Sequence, residues 1–261
     1  MRKNREVFVF KNTDGISEFA ITMWTDIARK AIKNKGFFTV ALSGGQTPKF
    51  LYKKLAEKSK KLPWNKTHIF LVDERFVSVN DPYSNYRMIK KDLLDKVTIP
   101  KRNIHPVAVK DTVKASACDY QKEIKDFLNL KKDRLPSFDL ITLGIGGDGH
   151  TASLFPSDAA VHQKKALITT VSRGEVKCER ITMTFPVINN SKNIIFMVTG
   201  KNKSKVLKDV LAKPNFRLPA SLVGPKKGKL TFLVDTKAGA SLDNSSRRTP
   251  LVRRGSLKED K

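Results

Sequence analysis

His150 stands in a setting suited to proton transfer. It lies in Gly144-Ile145-Gly146-Gly147-Asp148-Gly149-His150-Thr151-Ala152-Ser153-Leu154-Phe155-Pro156, directly after the apolar run Phe138-Asp139-Leu140-Ile141-Thr142-Leu143. That run has the length and apolarity of a buried parallel strand, and side chains that do chemistry on open α/β sheets gather at the carboxyl ends of strands. An imidazole changes charge near neutral pH, so it can accept a proton and give it back. Asp148, two residues earlier, supplies a carboxylate that can fix the imidazole's tautomer and basicity. Read literally, Gly144-x-Gly146-x-x-Gly149 also matches a dinucleotide fingerprint. Pro156 opposes the helix that such a fingerprint needs, and no second strand ends in an acid at the required distance.

Two other strand ends carry chemistry-bearing residues. Thr39-Val40-Ala41-Leu42 runs into Ser43-Gly44-Gly45-Gln46-Thr47-Pro48. The pattern predicts a strand, a glycine turn and a helix with Thr47 as N-cap and Pro48 at its first position. Backbone N–H groups at such a terminus suit a phosphate or a developing oxyanion. No Gly-Lys-Ser/Thr follows, which argues against a P-loop. Phe70-Leu71-Val72 runs into Asp73-Glu74-Arg75, with Ser84-Asn85-Tyr86 just beyond. Arg180 opens the run Ile181-Thr182-Met183-Thr184-Phe185, and Lys203 begins a helical pattern after Thr199-Gly200.

The elements that must position these residues alternate along the chain. Val7–Phe10 reads as a strand, and Ile16, Phe19, Ala20, Met23, Ile27 and Ala31 follow at helical spacing. Strands are expected at 37–42, 69–72, 138–143, 166–171, 180–185, 194–198 and 230–234. Helices are expected after Pro48 and over 86–94, 113–128 and 203–211. The alternation predicts an α/β fold: a doubly wound, mostly parallel sheet with helices on both faces. A single domain is expected over 1–236. From Lys237 to Lys261 the chain turns rich in Ser, Asn and paired arginines (Arg247-Arg248, Arg253-Arg254) with little apolar periodicity, which predicts a basic, disordered tail.

Lys and Arg number 51 against 25 Asp and Glu, a formal net charge of +26. Such a charge attracts anionic substrates and polyanions and says nothing of fold. The lysines are scattered rather than gathered in a stripe, so nucleic acid is expected to bind only non-specifically, if at all. Cys118 and Cys178 lack metal-ligand spacing and read as free thiols in a reducing compartment. No apolar run approaches the ~20 residues of a membrane span, and the apolar stretch near the N-terminus ends at Lys11, too early for a signal peptide. The expected location is cytoplasmic, with no membrane partner and no metal site.

Taken together, Leu42 to Pro48, Val72-Asp73-Glu74-Arg75, Ser84-Asn85-Tyr86, Gly144 to Pro156, Arg180 to Thr184, Thr199-Gly200 to Lys203 and Leu218-Pro219-Ala220 resemble the 6-phosphogluconolactonases in order and spacing. The resemblance covers about residues 5–236. It implies hydrolysis of 6-phospho-D-glucono-1,5-lactone to 6-phosphogluconate in the oxidative pentose phosphate pathway, without metal or organic cofactor. It also implies a functional association with glucose-6-phosphate dehydrogenase and a sheet related to that of the glucosamine-6-phosphate deaminases. Those deaminases have a Tyr where this chain has Arg75, and their histidine loop supplies a glutamate where this chain has Ala152 to Pro156. A sugar-phosphate deaminase or isomerase is thus the alternative activity, and a non-catalytic polyanion-binding protein the alternative outside enzymes.

A lactone ester needs a water nucleophile, a base, stabilisation of the tetrahedral oxyanion and a proton for the leaving ring oxygen. His150 with Asp148 meets the proton requirements. Ser43, Gly44, Gly45 and Thr47 offer the oxyanion or phosphate contacts. By resemblance Arg75, Arg180 and Lys203 are the candidates for the 6-phosphate clamp. Asp73, a base in the deaminases, has no enolisation to perform in a lactonase and is grouped with the substrate-binding residues.

Overall fold

The computed structural model describes residues 5–58, 60, 62–172, 178–243 and 248. Strand β1 (Arg5–Phe10) leads into α1 (Thr13–Lys35), then β2 (Phe38–Leu42), α2 (Gln46–Glu57), β3 (Thr67–Leu71) and β4 (Asp73–Arg75). Next come α3 (Asn85–Asp92), β5 (Ile104–His105), α4 (Val113–Phe127), β6 (Leu140–Leu143), β7 (Ile168–Val171) and β8 (Arg180–Met183). The chain continues through α5 (Phe185–Asn189), β9 (Asn193–Val198), α6 (Ser204–Ala212) and β10 (Lys229–Asp235).

Seven strands form one sheet in the order β1-β10-β9-β6-β2-β3-β5, and every adjacent pair is parallel. Each residue of β2 and of β6 is buried. Burial on both faces of a strand requires covering layers on both sides, as the apolar runs predict. Neighbouring β2 and β6 head in opposite directions through the sheet, β2 towards β3 and β5, β6 towards β9 and β10. Their carboxyl ends are therefore left uncrossed by connections, and a crevice opens there.

Helix α1 shows the local chemistry clearly. The Asn12 side chain accepts a hydrogen bond from Gly15 N at 3.0 Å, and Gly36 closes the helix with φ of 86°. Ile16, Ala20, Trp24, Ala28 and Ala31 form its buried face, while Phe19, Met23 and Ile27 pack partly buried beside it.

Three expectations are corrected. The runs at 166–171 and 180–185 do not join the main sheet: β7 and β8 pair antiparallel, and β8 pairs antiparallel with β4, in a separate sheet ordered β4-β8-β7. The connection between β7 and β8 is too short for a parallel crossover, so a hairpin-like pairing is the available solution. Strand β8 stops at Met183, because Thr184 turns its hydroxyl to Ala166 O at 2.8 Å and Pro186 lies at the start of α5. Thr47 is not the cap of α2; Gly45 is, with φ of 112° and no side-chain cap. The helix begins at Gln46, and Pro48 is tolerated inside the first turn because those amides have no intrahelical partner.

The packed chain also runs past the expected boundary at 236. Ala238 and Leu242 are buried, Ala238 N donates to Asp235 Oδ1 at 2.7 Å, and Ser204 Oγ meets Ser241 Oγ at 2.7 Å. Arg248 N donates to Val7 O at 2.8 Å. The expectation of a disordered tail otherwise falls on residues 244–247 and 249–261, outside the described residues.

At the amino end of the sheet, buried Asp139 joins β2, β6 and β9. Its Oδ2 accepts from Thr39 N and Thr39 Oγ1, both at 2.9 Å, and Lys35 Nζ and Lys192 Nζ each lie 2.8 Å from the carboxylate. Burial pushes this carboxyl up, but the two ammonium groups and the Thr39 amide more than offset it and hold it below the usual carboxylate range. A carboxylate depressed in the fold stabilises fully above its unfolded value, near ~3.9, and that contribution disappears as pH falls through the folded value. Asp139→Asn is expected to cost about 2–4 kcal/mol in urea unfolding at pH 7, since the lysines lose their buried counter-charge. The gap between parent and variant should narrow below about pH 4. A gap that stays constant into acid would show that the ion pairs do not stabilise the fold.

Candidate functional site

The crevice at the carboxyl ends of β2, β3, β6 and β9 is an open cleft of about 490 Å³. Ser43, Gly44, Gly45, Thr47, Asp73, Arg75, His150, Arg180 and Lys203 all line it, although they are scattered through the sequence. Asp148 stands behind His150.

The loop after β6 is built around its imidazole. His150 Nδ1 lies 2.6 Å from Asp148 Oδ1, and the same oxygen accepts from His150 N at 3.1 Å. With Nδ1–H donating to the carboxylate, the neutral ring keeps its lone pair on Nε2. Burial raises the Asp148 carboxyl, but the His150 amide and ring outweigh it and hold it below the usual range. A β-carbon on Gly146 would overlap both His150 Nδ1 and Asp148 Oδ1, so this position has room only for hydrogen. Gly149 has φ of 85°, a conformation that L side chains rarely adopt, and its carbonyl accepts from Ala220 N at 2.9 Å. The Leu218-Pro219-Ala220 turn thereby braces the histidine loop from outside.

The other histidines are occupied elsewhere. His68 Nδ1 sits 3.1 Å from His105 Nε2, His105 stacks on Phe70 at 4.1 Å, and His162 stacks on Phe216 at 5.1 Å. Burial pushes the His68 imidazole down to about 4. Of the four, His150 alone lines the cleft.

The basic wall comes from the small antiparallel sheet. Arg75 of β4 and Arg180 of β8 are direct cross-strand partners. Like charges facing each other across a ladder are destabilising. Burial first, and then the Arg75 charge, pulls the Arg180 guanidinium below its ordinary value. Arg75 Nη1 donates to Tyr83 O at 2.9 Å and to Asn85 Oδ1; both acceptors are neutral. Arg75 Nε and Arg180 Nε are buried without a hydrogen-bond partner. Arg180 lies over the Phe155 ring, 5.5 Å from its centroid, and His150 also packs on that ring, at 4.6 Å between centroids. Lys203 approaches from β9, its Nζ 3.9 Å from where a β-carbon on Gly147 would stand. Among the described residues, none of these three cations has an ion-pair partner.

Glu74 points away from the cleft and sets the wall in place. Its buried carboxylate accepts from Arg75 N, Asn85 N and Tyr86 N, each at 2.7 Å, and from Ser84 Oγ at 3.1 Å, which ties β4 to the start of α3. Asp73 does face the cleft, and Ser153 Oγ donates to its Oδ2 at 2.7 Å. On the opposite wall, Ser43 Oγ is buried with no partner and Thr47 Oγ1 meets Thr199 Oγ1 at 2.8 Å.

Sequence reasoning left four polar side chains of the lining out of the candidate site: Gln46, Asn85, Thr199 and Asn202. Asn85 had a signal, since it follows the Ser84 cap in a motif already singled out. Thr199 and Asn202 flank Gly200 at the carboxyl end of β9, where topology would have placed them once the strand order was known.

With this geometry in place, comparison with known proteins is informative. Residues 11–232 match the model of the family described as glucosamine-6-phosphate isomerases/6-phosphogluconolactonase. A 6-phosphogluconolactonase of Synechocystis sp. is 41% identical over 242 residues, spanning 91% of this chain and 98% of that protein. The crystal structure of 6-phosphogluconolactonase from Thermotoga maritima superposes with a TM-score of 0.77 at 33% identity, covering 88% of this chain and 99% of that one. A monomeric glucosamine-6-phosphate deaminase shares the fold, with a TM-score of 0.76 at 21% identity over 90% of this chain and 99% of its own. The chain belongs to the glucosamine-6-phosphate isomerase/6-phosphogluconolactonase family.

Proposed function

We propose that this chain hydrolyses 6-phospho-D-glucono-1,5-lactone to 6-phosphogluconate, the second step of the oxidative pentose phosphate pathway. The observation that carries the reading is a cleft in which three cations, without ion-pair partners among the described residues, face a histidine whose Nδ1 is held by a carboxylate. A substrate with a phosphate dianion at one end and an ester at the other fits both halves.

Water is the nucleophile. His150 Nε2 takes one of its protons as the oxygen attacks the lactone carbonyl, and Asp148 stabilises the imidazolium that forms. The carbonyl oxygen becomes an oxyanion, for which the amides at the Ser43-Gly44-Gly45 turn and the amino end of α2 are the candidate donors. Collapse of the tetrahedral intermediate breaks the bond to the ring oxygen, which leaves with the proton carried by His150. The new carboxylic acid then ionises, so each turnover releases one proton to solvent. Arg75, Arg180 and Lys203 hold the 6-phosphate, where guanidinium forks match its oxygens and the like-charge tension between the arginines is relieved. Among the described residues Asp73 is the one acidic side chain lining the cleft, which favours hydrolysis over the ring opening and isomerisation of a deaminase.

This reading places the chain directly after glucose-6-phosphate dehydrogenase, whose lactone product it consumes, and in the cytoplasm where that substrate forms. No helix among the described residues is long and apolar enough to cross a membrane.

His150→Asn is expected to lower kcat by about 10²-fold or more with KM little changed, because proton transfer is lost and the clamp is kept. Near-normal turnover of freshly generated lactone, with spontaneous hydrolysis subtracted, would remove His150 from the mechanism. Truncating Arg75, Arg180 or Lys203 should cut kcat/KM for the phosphorylated lactone by roughly 10- to 150-fold, the worth of about 1.5–3 kcal/mol per charged hydrogen bond. Unphosphorylated gluconolactone should be affected much less, and equal losses on both substrates would rule out the clamp. Among the described residues no group of three or more His, Cys, Asp or Glu could hold a metal ion. Exhaustive chelation should therefore leave the rate unchanged, and a loss restored by a divalent cation would overturn the metal-free mechanism.

A further inference from the structure

One buried amide touches both walls of the cleft at once. Asn85 is only 1% exposed. Its Oδ1 accepts from Arg75 Nη1, and its Nδ2 donates to Asp73 O at 2.9 Å. Its backbone N is tied to Glu74 Oε1 at 2.7 Å, which fixes where the side chain begins. The amide lies so close to the turn after β2 that a β-carbon on Gly44 would overlap Asn85 Oδ1 and Cγ. The amino end of α2, the arginine of β4 and the first turn of α3 are thus registered against one another through a single side chain.

The chemistry of that contact requires an amide. A guanidinium needs an acceptor to hold its direction, and the carbonyl of Asp73 needs a donor; Asn supplies one of each in a plane. A carboxylate of the same shape would satisfy Arg75 better, but would face the Asp73 carbonyl with an oxygen and would cancel the arginine's charge. The remaining Arg75 contact is also neutral, the carbonyl of Tyr83.

We infer that Asn85 is a positioning residue that aims Arg75 into the cleft while leaving its charge uncompensated, and so sets the preference of the site for a phosphorylated over an unphosphorylated lactone. This rests on the reading of Arg75 as part of the phosphate clamp. The cations of the cleft must be directed without being neutralised, because an arginine already paired with a carboxylate offers an incoming phosphate only an exchange of partners.

The test compares Asn85→Asp, Asn85→Ser and Arg75→Gln on 6-phosphogluconolactone and on unphosphorylated gluconolactone, with folding checked by thermal melting. Asn85→Asp preserves the shape and cancels the charge. It should raise KM for the phosphorylated lactone by about 10-fold or more, and by a clearly larger factor than it raises KM for the unphosphorylated one. Asn85→Ser removes the contact without adding charge and should give a smaller rise in KM. A purely structural role predicts that each substitution impairs the two lactones alike, with no change in the preference between them. In the Arg75→Gln background Asn85→Ser should add nothing to the loss of phosphate preference, a result that does not depend on the Asp variant folding. Additive losses in that double variant, or equal losses on the two lactones in the single ones, would overturn the inference while leaving the clamp intact. An Arg75→Gln enzyme with unchanged preference would overturn the clamp reading itself, and the role of Asn85 with it.

Discussion

The divergence of the chain at β2 and β6 is the constraint on which the site depends. Parallel strands need crossovers, and wherever two neighbouring strands send theirs to opposite sides, no connection covers their carboxyl ends. Here that opening receives the Ser43-Gly44-Gly45 turn from one strand and the His150 loop from the other, with Arg75 arriving beyond β3 and Lys203 beyond β9. Residues far apart in sequence meet because the sheet ends there, and the loops need little structure of their own. What they do need is bracing: Ala220 N on Gly149 O for the histidine loop, and Glu74 on α3 for the arginine strand.

The bracing has to hold an arrangement that is electrostatically unfavourable in the absence of an anion. Arg75 and Arg180 face each other across β4 and β8, both Nε atoms are orphaned, and Ser43 Oγ is buried without a partner. A fold optimised for stability alone would place a carboxylate between the guanidiniums. Glu74, next to Arg75 in sequence, is turned the other way, buried and consumed by three backbone amides and a hydroxyl. Burial raises its carboxyl above the usual range despite those amides. The acid closest to the arginine in sequence is thereby spent on positioning the strand, and Arg75 is left without an ion-pair partner among the described residues.

What could be read from sequence divides along the same physical line. Strand and helix periods are local, so the alternating elements of the main sheet and the buried face of α1 were legible. So was the pairing of Asp148 with His150, two residues apart. The antiparallel sheet was not, because β4 is only three residues long and its partner β8 lies more than a hundred residues downstream; nothing local distinguishes β8 from one more parallel strand. Thr47 followed by Pro48 reads as a cap and first turn, yet helix α2 starts two residues earlier and the hydroxyl is used across the cleft on Thr199. Asn85 lies in a motif the sequence singles out, but it carries no charge, and its contacts with Arg75, Asp73 O and the space beside Gly44 emerge only in the fold.

The same distinction bears on the large net charge. A formal +26 describes the whole surface and steers anions at long range, within about a Debye length of 8–10 Å at ordinary ionic strength. Some of the 51 basic side chains are locally paired: Lys54 meets Asp14 at 2.6 Å and Glu18 at 3.0 Å, and Lys35 and Lys192 share Asp139. Arg75, Arg180 and Lys203 differ in having no ion-pair partner among the described residues while being partly withdrawn from water in a concave site. A charge that is neither solvated by bulk water nor neutralised by the protein interacts more strongly with an entering anion than an exposed lysine does. On the proposed reading, selectivity for a phosphorylated substrate is assigned to three cations that have no ion-pair partner among the described residues and to the neutral groups that aim them, and the remaining surplus of lysine and arginine to encounter rate rather than recognition.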